Sequence, residues 1–465
     1  MKITATSLLI CAAIALAGCS GTKGLRKADT HMPATFVAGA AEADSMSIAD
    51  IRWWEFYGDT TLTAIMRTAL DNNRDLLKAA ARVEQMRQLY GVSKANLLPQ
   101  IGMHVGWTHE TNKYNGEATI PDPEHSLKFP ISWEMNLWGS LVHAKDAGKA
   151  QFVASVEDYR AMRMTLIAEV ATAYFRLLSL ENELIIVRQT LLTREEALEQ
   201  ARLRFEGGLT SETVYQQAKV EYSSTASLIP DLELRITSMR NSLTMLMGEF
   251  PRDKMENNTL NFSARLAGDI SEKLPKTGVP SDLLKRRPDL RAAEQRLKAA
   301  LADVGVKYAD RFPTFRIGFN PGFENDQLRN FFKSPFTYTL AQITGPLFDF
   351  GRRKRSYKAA VAAYEQSRLD YEKAVIGAFT EVNTSINAYN RYHENYTVKS
   401  DLRDAAAKYV QLAWLQYRGG TLNYIDVLDA QRRYFDAQIG VNNARRDEYL
   451  ALINLYKALG GGWQM

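Results

Sequence analysis

From Gly139 to Phe205 the hydrophobic pattern keeps a helical period over about 65 residues, or ~100 Å of helix if continuous. Globular helices average about a dozen residues, so this run needs neighbours along its whole length. Its apolar content between Tyr159 and Leu192 covers more than one stripe, as in a helix touched on several sides within a bundle wall. The run stops at Phe205-Glu206-Gly207-Gly208-Leu209. A second long pattern stops in the same way at Tyr417-Arg418-Gly419-Gly420-Thr421. Paired glycines suit a chain that leaves a helix through φ > 0 and turns back. Gly207, Gly208, Gly419 and Gly420 therefore mark two helical hairpin tips. Past the first, Thr210 or Ser211 can cap a return helix running to about Met247.

The second half restates the first. At a fixed shift of 214, Asp75, Leu76, Gly91 and Pro99 match Asp289, Leu290, Gly305 and Pro313; at a shift of 212, Gly139, Tyr159, Gly207 and Tyr222 match Gly351, Tyr371, Gly419 and Tyr434. Each half reads helix, strand, strand, long helix, tip, long helix. The opening helix of the first copy spans Thr61 to Asn96, and Pro99 closes it.

The strands carry the membrane argument. Ile101, Met103, Val105 and Trp107 alternate with Gly102, His104, Gly106 and Thr108, and a polar loop with Gly116, Pro121 and Pro123 follows. Leu127 to Leu137 then alternates with period 2, the length of a tilted membrane strand. Phe315, Ile317 and Phe319 mark a third strand. Phe336, Tyr338 and Leu340 open a fourth, whose alternation weakens after Gln342. Four strands cannot close a barrel, and open edges cannot face lipid, so several chains must pool theirs. The strands alone allow a dimer or a trimer.

Other features narrow the class. Lys2, the apolar run Leu8–Leu16 and then Leu16-Ala17-Gly18-Cys19 resemble a bacterial lipoprotein signal, with Cys19 lipidated; Ser20 implies outer-membrane sorting. The one other cysteine, Cys11, lies inside that leader, so no disulfide or catalytic thiol is expected. No later stretch has the 18 consecutive apolar residues of a membrane helix. The 58 basic and 53 acidic residues give a net charge of +5, without the dense basic patch of a nucleic-acid binder. No phosphate loop, nucleophile elbow or metal-spaced Cys/His set occurs, so neither enzyme nor cofactor nor metal is expected; His104, His109 and His125 read as solvated loop residues.

Specific strings then point to a family. Leu283-Leu284-Lys285-Arg286-Arg287-Pro288-Asp289-Leu290, Ala293-Glu294 and Phe312-Pro313 resemble the signature of outer membrane efflux proteins, the TolC-like outer membrane factors. The Trp53-Trp54 region, Gly345-Pro346-Leu347-Phe348, Asp426-Val427-Leu428-Asp429-Ala430 and the ending Ala458-Leu459-Gly460-Gly461-Gly462-Trp463 resemble the lipoprotein, multidrug-efflux branch. The resemblance implies a mainly α TolC-like fold. Long helices would form an α-helical barrel, and four strands per chain a trimeric 12-stranded membrane β-barrel. It implies a homotrimer, a periplasmic adaptor (membrane fusion) protein, an inner-membrane transporter of the resistance-nodulation-division type, and an outer-membrane, lipid-anchored location reaching into the periplasm. The function implied is the passive exit duct of a tripartite drug-efflux system. A type I protein-secretion duct and a lipid-anchored scaffold without a pore are the competing readings. The domains read as signal peptide 1–18, lipidated tether 19–58, first efflux repeat 59–250, linker 251–280, and second repeat with tail 281–465.

Three groups are site candidates. Asp426 and Asp429 share a face at i, i+3 just past the second tip, while their first-half counterparts are Val214 and Gln217. In a trimer they would supply a ring of six carboxylates at the periplasmic constriction. The bland alternative is solvated acids at a helix N-terminus. Tyr417 matches the family position where tip residues hold the channel closed. Finally, Arg352, Arg353, Lys354 and Arg355 start a helix against its macrodipole. Outer-membrane lipid headgroups would favour such a cluster; a solvated face is the alternative.

Overall fold

A computed structural model describes residues 22, 24–37, 47–112, 116, 120–251 and 277–463. Cys19 and most of the 251–280 linker lie outside them. The helices are α1 (Trp53–Tyr57), α2 (Thr60–Asn72), α3 (Arg74–Ala95), α4 (Ser140–Glu206), α5 (Glu212–Ala226), α6 (Leu228–Leu246), α7 (Leu283–Arg286), α8 (Pro288–Ala309), α9 (Arg352–Arg418) and α10 (Tyr424–Ala458). The strands are β1 (Gln100–Ile101), β2 (His104–Asn112), β3 (Ile120–Lys128), β4 (Ile131–Met135), β5 (Thr314–Asn325) and β6 (Pro335–Thr344). The repeat reappears in element ends. α4 and α9 each span 67 residues, offset by 212; α3 and α8 each span 22, offset by 214.

Several boundaries differ from the expectation. The helix expected over Thr61–Asn96 is two, because Asn73 breaks it and its Oδ1 accepts the N–H groups of Asp75 and Leu76, capping α3. The return helix to Met247 is also two, divided at Ser227. Pro230 falls in the first turn of α6, where its missing N–H costs nothing. Ser211 is the N-cap of α5, but its side chain makes no cap bond. Pro121 and Pro123, expected in a loop, belong to β3. They pair with β2, and β3 pairs with β5 only over His125–Lys128, so both prolines lie where one strand flank is open. The run Leu127–Leu137 is interrupted at Phe129-Pro130, and β4 ends at Met135. The fourth strand continues through Thr344, which faces Thr314.

The chain divides into two compact units. One comprises Met1–Thr30, Ala81–Glu157 and Arg291–Ala374. Its sheet is a kinked antiparallel ladder in which β3 and β4 act as one strand broken at Pro130. β1 and β2 pair on one side of it, β5 on the other, and β6 pairs with β5. The outer flanks of β2 and β6 are unpaired among the described residues. Gly305 lets the His143 ring pack on α8; a Cβ there would lie 2.7 Å from the imidazole.

The other unit comprises His31–Ala80, Asp158–Leu290 and Val375–Met465. The largest fully buried side chains lie here: Tyr57, Tyr174, Tyr456, Phe56, Leu62 and Met66 among them. Each large apolar side chain so buried contributes about 1.5–3 kcal/mol. The Trp53–Tyr57 cluster packs rather than dangling: Phe56 stacks on Tyr456 at 4.1 Å, and the Tyr456 hydroxyl donates to the Ile51 carbonyl. The tether docks too, with Phe36 buried against Phe379 of α9.

Repeat-matched ties hold the return helices. Asn73 Nδ2 donates to the carbonyl of Leu246, at the end of α6; Arg287 Nη1 donates to that of Ala458, at the end of α10. Gly248 (φ 71°) and Gly460 (φ 87°) follow these carbonyls. A Cβ on Gly248 would lie 2.2 Å from the Asn72 carbonyl oxygen, and one on Gly460 3.1 Å from Arg286 backbone. The signature Arg287 is buried and also bonds Asp289 and Glu381 at 2.7 and 2.6 Å. Trp463 donates to the Arg286 carbonyl.

Candidate functional site

Both hairpin tips are built alike. The second glycine of each pair is left-handed, Gly208 at φ 70° and Gly420 at φ 76°. The next N–H groups then reach back, Leu209 to the Arg204 carbonyl and Thr421 to that of Gln416. These bonds satisfy helix-end carbonyls and fix the turn.

One chain brings its two tips together. Arg204, in the last turn of α4, donates to the Tyr417 hydroxyl, and its guanidinium lies 5.7 Å from the Tyr417 ring centroid. Tyr417 in turn meets Trp414 and Tyr424, with centroids 5.9 and 5.5 Å away. Below them Ala413, Val427 and Ala430 form a small buried core. The Tyr424 hydroxyl is buried with no hydrogen-bond partner among the described residues. Burial, and next the nearby Tyr417, push its pKa up to about 12.

Asp426 and Asp429 lie in the first turns of α10, both half-buried. Asp429 accepts from Arg433 Nε at 2.8 Å, an i,i+4 pair on its own helix. Asp426 has no ion-pair partner among the described residues. The two carboxylates are therefore unlike: one is offset by a neighbouring cation, the other only by the helix N-terminus.

Farther along the helices lies a triad that sequence reasoning missed, with Arg194 and Glu221 buried and Arg432 exposed. Glu221 of α5 accepts from Arg432 of α10 at 2.7 Å and pairs with Arg194 of α4 at 3.1 Å. Arg194 also donates to the Glu221 carbonyl and to Thr225 Oγ1. Burial pulls the Arg194 pKa down, against the attraction of Glu221. The three helices are thus joined through one carboxylate. A signal was available: the repeat counterpart of Glu221 is Arg433, an acid in one half where the other has a base.

The basic cluster is partly accounted for within its own helix start. Asp349 accepts from the backbone N–H of Gly351 and Arg353 at 3.0 and 3.1 Å, and these bonds hold its carboxyl below the ordinary range. That anion offsets the unfavourable cations. Arg353 is not free: it donates to the Asp310 carbonyl past the end of α8. Arg352, Lys354 and Arg355 remain exposed. Of the strand-region tryptophans, Trp138 stacks on Phe312 and donates to the Pro313 carbonyl, while Trp133 donates to that of Leu97.

Comparison with known proteins agrees with this architecture. The family model described as "Outer membrane efflux protein" matches residues 65–249 and again 279–461. The probable efflux pump outer membrane protein SepC of Pseudomonas putida is 31% identical over 98% of this chain and 96% of its own length. The solvent efflux pump outer membrane protein SrpC, also of Pseudomonas putida, is 30% identical over 99% of this chain and 98% of its own. Among solved structures, the outer-membrane channel OprN superposes with a TM-score of 0.86 at 26% identity, covering 95% of this chain and 99% of that one. The open-state Neisseria gonorrhoeae channel MtrE gives 0.79 at 27% identity, covering 94% and 97%. With its two copies of the helix–strand–hairpin unit, its TolC-like fold and these full-length relatives, the chain belongs to the outer membrane efflux protein family.

Proposed function

We propose that this chain is the passive exit duct of a tripartite efflux system, assembled as a homotrimer. Three copies would pool four strands each into a 12-stranded outer-membrane barrel, and their long helices would wall a conduit through the periplasm. The observation that carries this reading is the pair of 67-residue helices joined to a sheet whose two outer flanks are open among the described residues. Exposed backbone edges are not tolerated in lipid, so neighbouring copies must cover them. The chain itself performs no chemistry. Its energy comes from an inner-membrane transporter of the resistance-nodulation-division type, linked through a periplasmic adaptor. Relatives named for toluene, solvent and antibiotic efflux support small toxic compounds as cargo. Cys19 carries the lipid anchor. Asp426 and Asp429 ring the periplasmic mouth, and Tyr417, held by Arg204, keeps each hairpin pair closed. Arg352, Lys354 and Arg355 meet lipid phosphates at the inner rim of the barrel.

Deletion of the gene tests the reading. Dye and drug accumulation should rise in the deletion strain while exported protein stays at wild-type levels. Loss of a secreted protein with unchanged dye accumulation would instead indicate a type I secretion duct.

A further inference from the structure

A cleft of about 460 Å³ opens where α1, the end of α2 and the start of α3 meet α4. That volume falls in the range of small-molecule sites. Its walls all belong to one compact unit. α1 supplies the indoles of Trp53 and Trp54. α4 supplies the ring of Tyr159 and, one turn on, the guanidinium of Arg163, while α2 adds Arg67.

Two donors of these walls have nothing to bond. Trp53 is 3% exposed, and its Nε1 has no hydrogen-bond partner among the described residues. Arg163 Nε is likewise buried and unpartnered. Neither Arg163 nor Arg67 forms a salt bridge with any described residue. Nearby arginines are better placed: Arg160 lies over the Trp463 ring and Arg52 over that of Trp54. Buried donors are nearly always satisfied, because losing water without gaining a bond is costly, so two exceptions at one cleft call for a ligand.

The chemistry of the unmet groups narrows that ligand. Indole and guanidinium nitrogens donate and cannot accept, so their complement is an acceptor, and beside two cations an anionic one. A guanidinium fork matches the two oxygens of a carboxylate. Asp71 also lines the cleft and opposes an anion, but it is exposed and the two arginines outnumber it. The remaining walls are apolar: the two indoles, the Tyr159 ring, Leu70 and the buried Leu76. Flat aromatic bodies pack well on such surfaces.

We propose that this cleft binds an aromatic carboxylate. The carboxylate takes the Arg163 guanidinium and the Trp53 N–H, Arg67 adds favourable charge, and the aryl ring lies against Trp54 and Tyr159. The site is built from residues of one chain, so each copy carries it, and it stands or falls independently of the exit-duct reading.

Calorimetric titration of the full-length protein in lipid nanodiscs with 2-naphthoate tests this. The expected result is saturable binding at one site per chain. 2-Naphthol, which lacks the carboxylate, and acetate, which lacks the ring, should each bind at least about tenfold more weakly. Arg163→Gln should weaken 2-naphthoate by at least about tenfold. Trp53→Phe keeps a ring and removes the N–H donor, and it should weaken binding in the same direction. Arg67→Gln, at an exposed position, keeps the test open should a buried variant fail to fold; it should cost about two- to fivefold in affinity. Absence of saturable heat, as when water alone or a neighbouring copy fills the cleft, overturns the proposal. So does equal affinity for 2-naphthol, or undiminished binding in a folded Arg163→Gln variant.

Discussion

The carboxylates past the second tip differ in what surrounds them, and their variants should differ too. Asp426 has no cationic partner among the described residues, whereas Asp429 is held by Arg433 at 2.8 Å. Asp426→Asn should therefore alter cation selectivity in single-channel recordings more than Asp429→Asn, and the double variant most of all. Unchanged ion preference in the double variant would remove the acidic ring. At the tip contact, Arg204→Ala and Tyr417→Phe both delete the same hydrogen bond. Both should raise open-channel leak to a similar extent; an effect of one without the other would mean the bond is not what matters. Arg287 is a structural case. Removing it leaves Asp289, Glu381 and the Ala458 carbonyl without their shared donor. Arg287 is buried, but its two carboxylate partners are 43% and 44% exposed, so the loss should fall short of the about 3–5 kcal/mol of a fully buried pair; Arg287→Met should still melt below the parent. Burial alone would raise the pKa of Asp289, but the Arg287 guanidinium outweighs it and holds the carboxyl below its ordinary 3.8. A depressed carboxyl contributes stability above its unfolded pKa and loses it as pH falls through the folded value. The difference between parent and variant should thus narrow as pH falls below about 3.8 toward the folded value; a constant difference down to pH 2 would contradict the tie.

The helix ends make sharper demands than the helix interiors. Gly208 and Gly248 both sit at φ near 70°, but only Gly248 is pressed against backbone, with 2.2 Å to the Asn72 oxygen. Gly208→Ala should cost about 1 kcal/mol, the left-handed penalty alone. Gly248→Ala must also displace α2 from α6 and should lower the melting temperature further; equal losses would show that the close approach relaxes freely. This difference was invisible in the sequence, where Gly248 and Gly208 look alike. The long helices were legible because a 3.6-residue period sustained over 67 positions has no strand alternative. The breaks at Asn73 and Ser227 were not, because each depends on which backbone groups a single side chain or proline happens to satisfy. Pro121 and Pro123 misled for a related reason: proline forbids a paired flank, and only the pairing shows that theirs is open. The triad at Glu221 escaped because its members lie on three helices, and the acid-for-base exchange between 221 and 433 does not say which cations that acid meets.

At the scale of the whole molecule, the repeat is the organising fact. Equal offsets govern helix ends, the ties of Asn73 and Arg287, and the strand register. What the repeat leaves undone is the sheet, whose outer flanks are open in one copy among the described residues. Family strings and periodicity made the fold readable from the sequence, while the Arg204–Tyr417 contact across the tips and the Glu221 ion pairs needed three dimensions. The central claim is that several copies complete one water-filled passage. Purified full-length protein reconstituted into a planar lipid bilayer puts this to the test most directly. The expected result is discrete unitary conductance from an oligomer of defined mass, altered by Asp426→Asn/Asp429→Asn. A single-chain species that leaves the bilayer insulating at every protein concentration would contradict it.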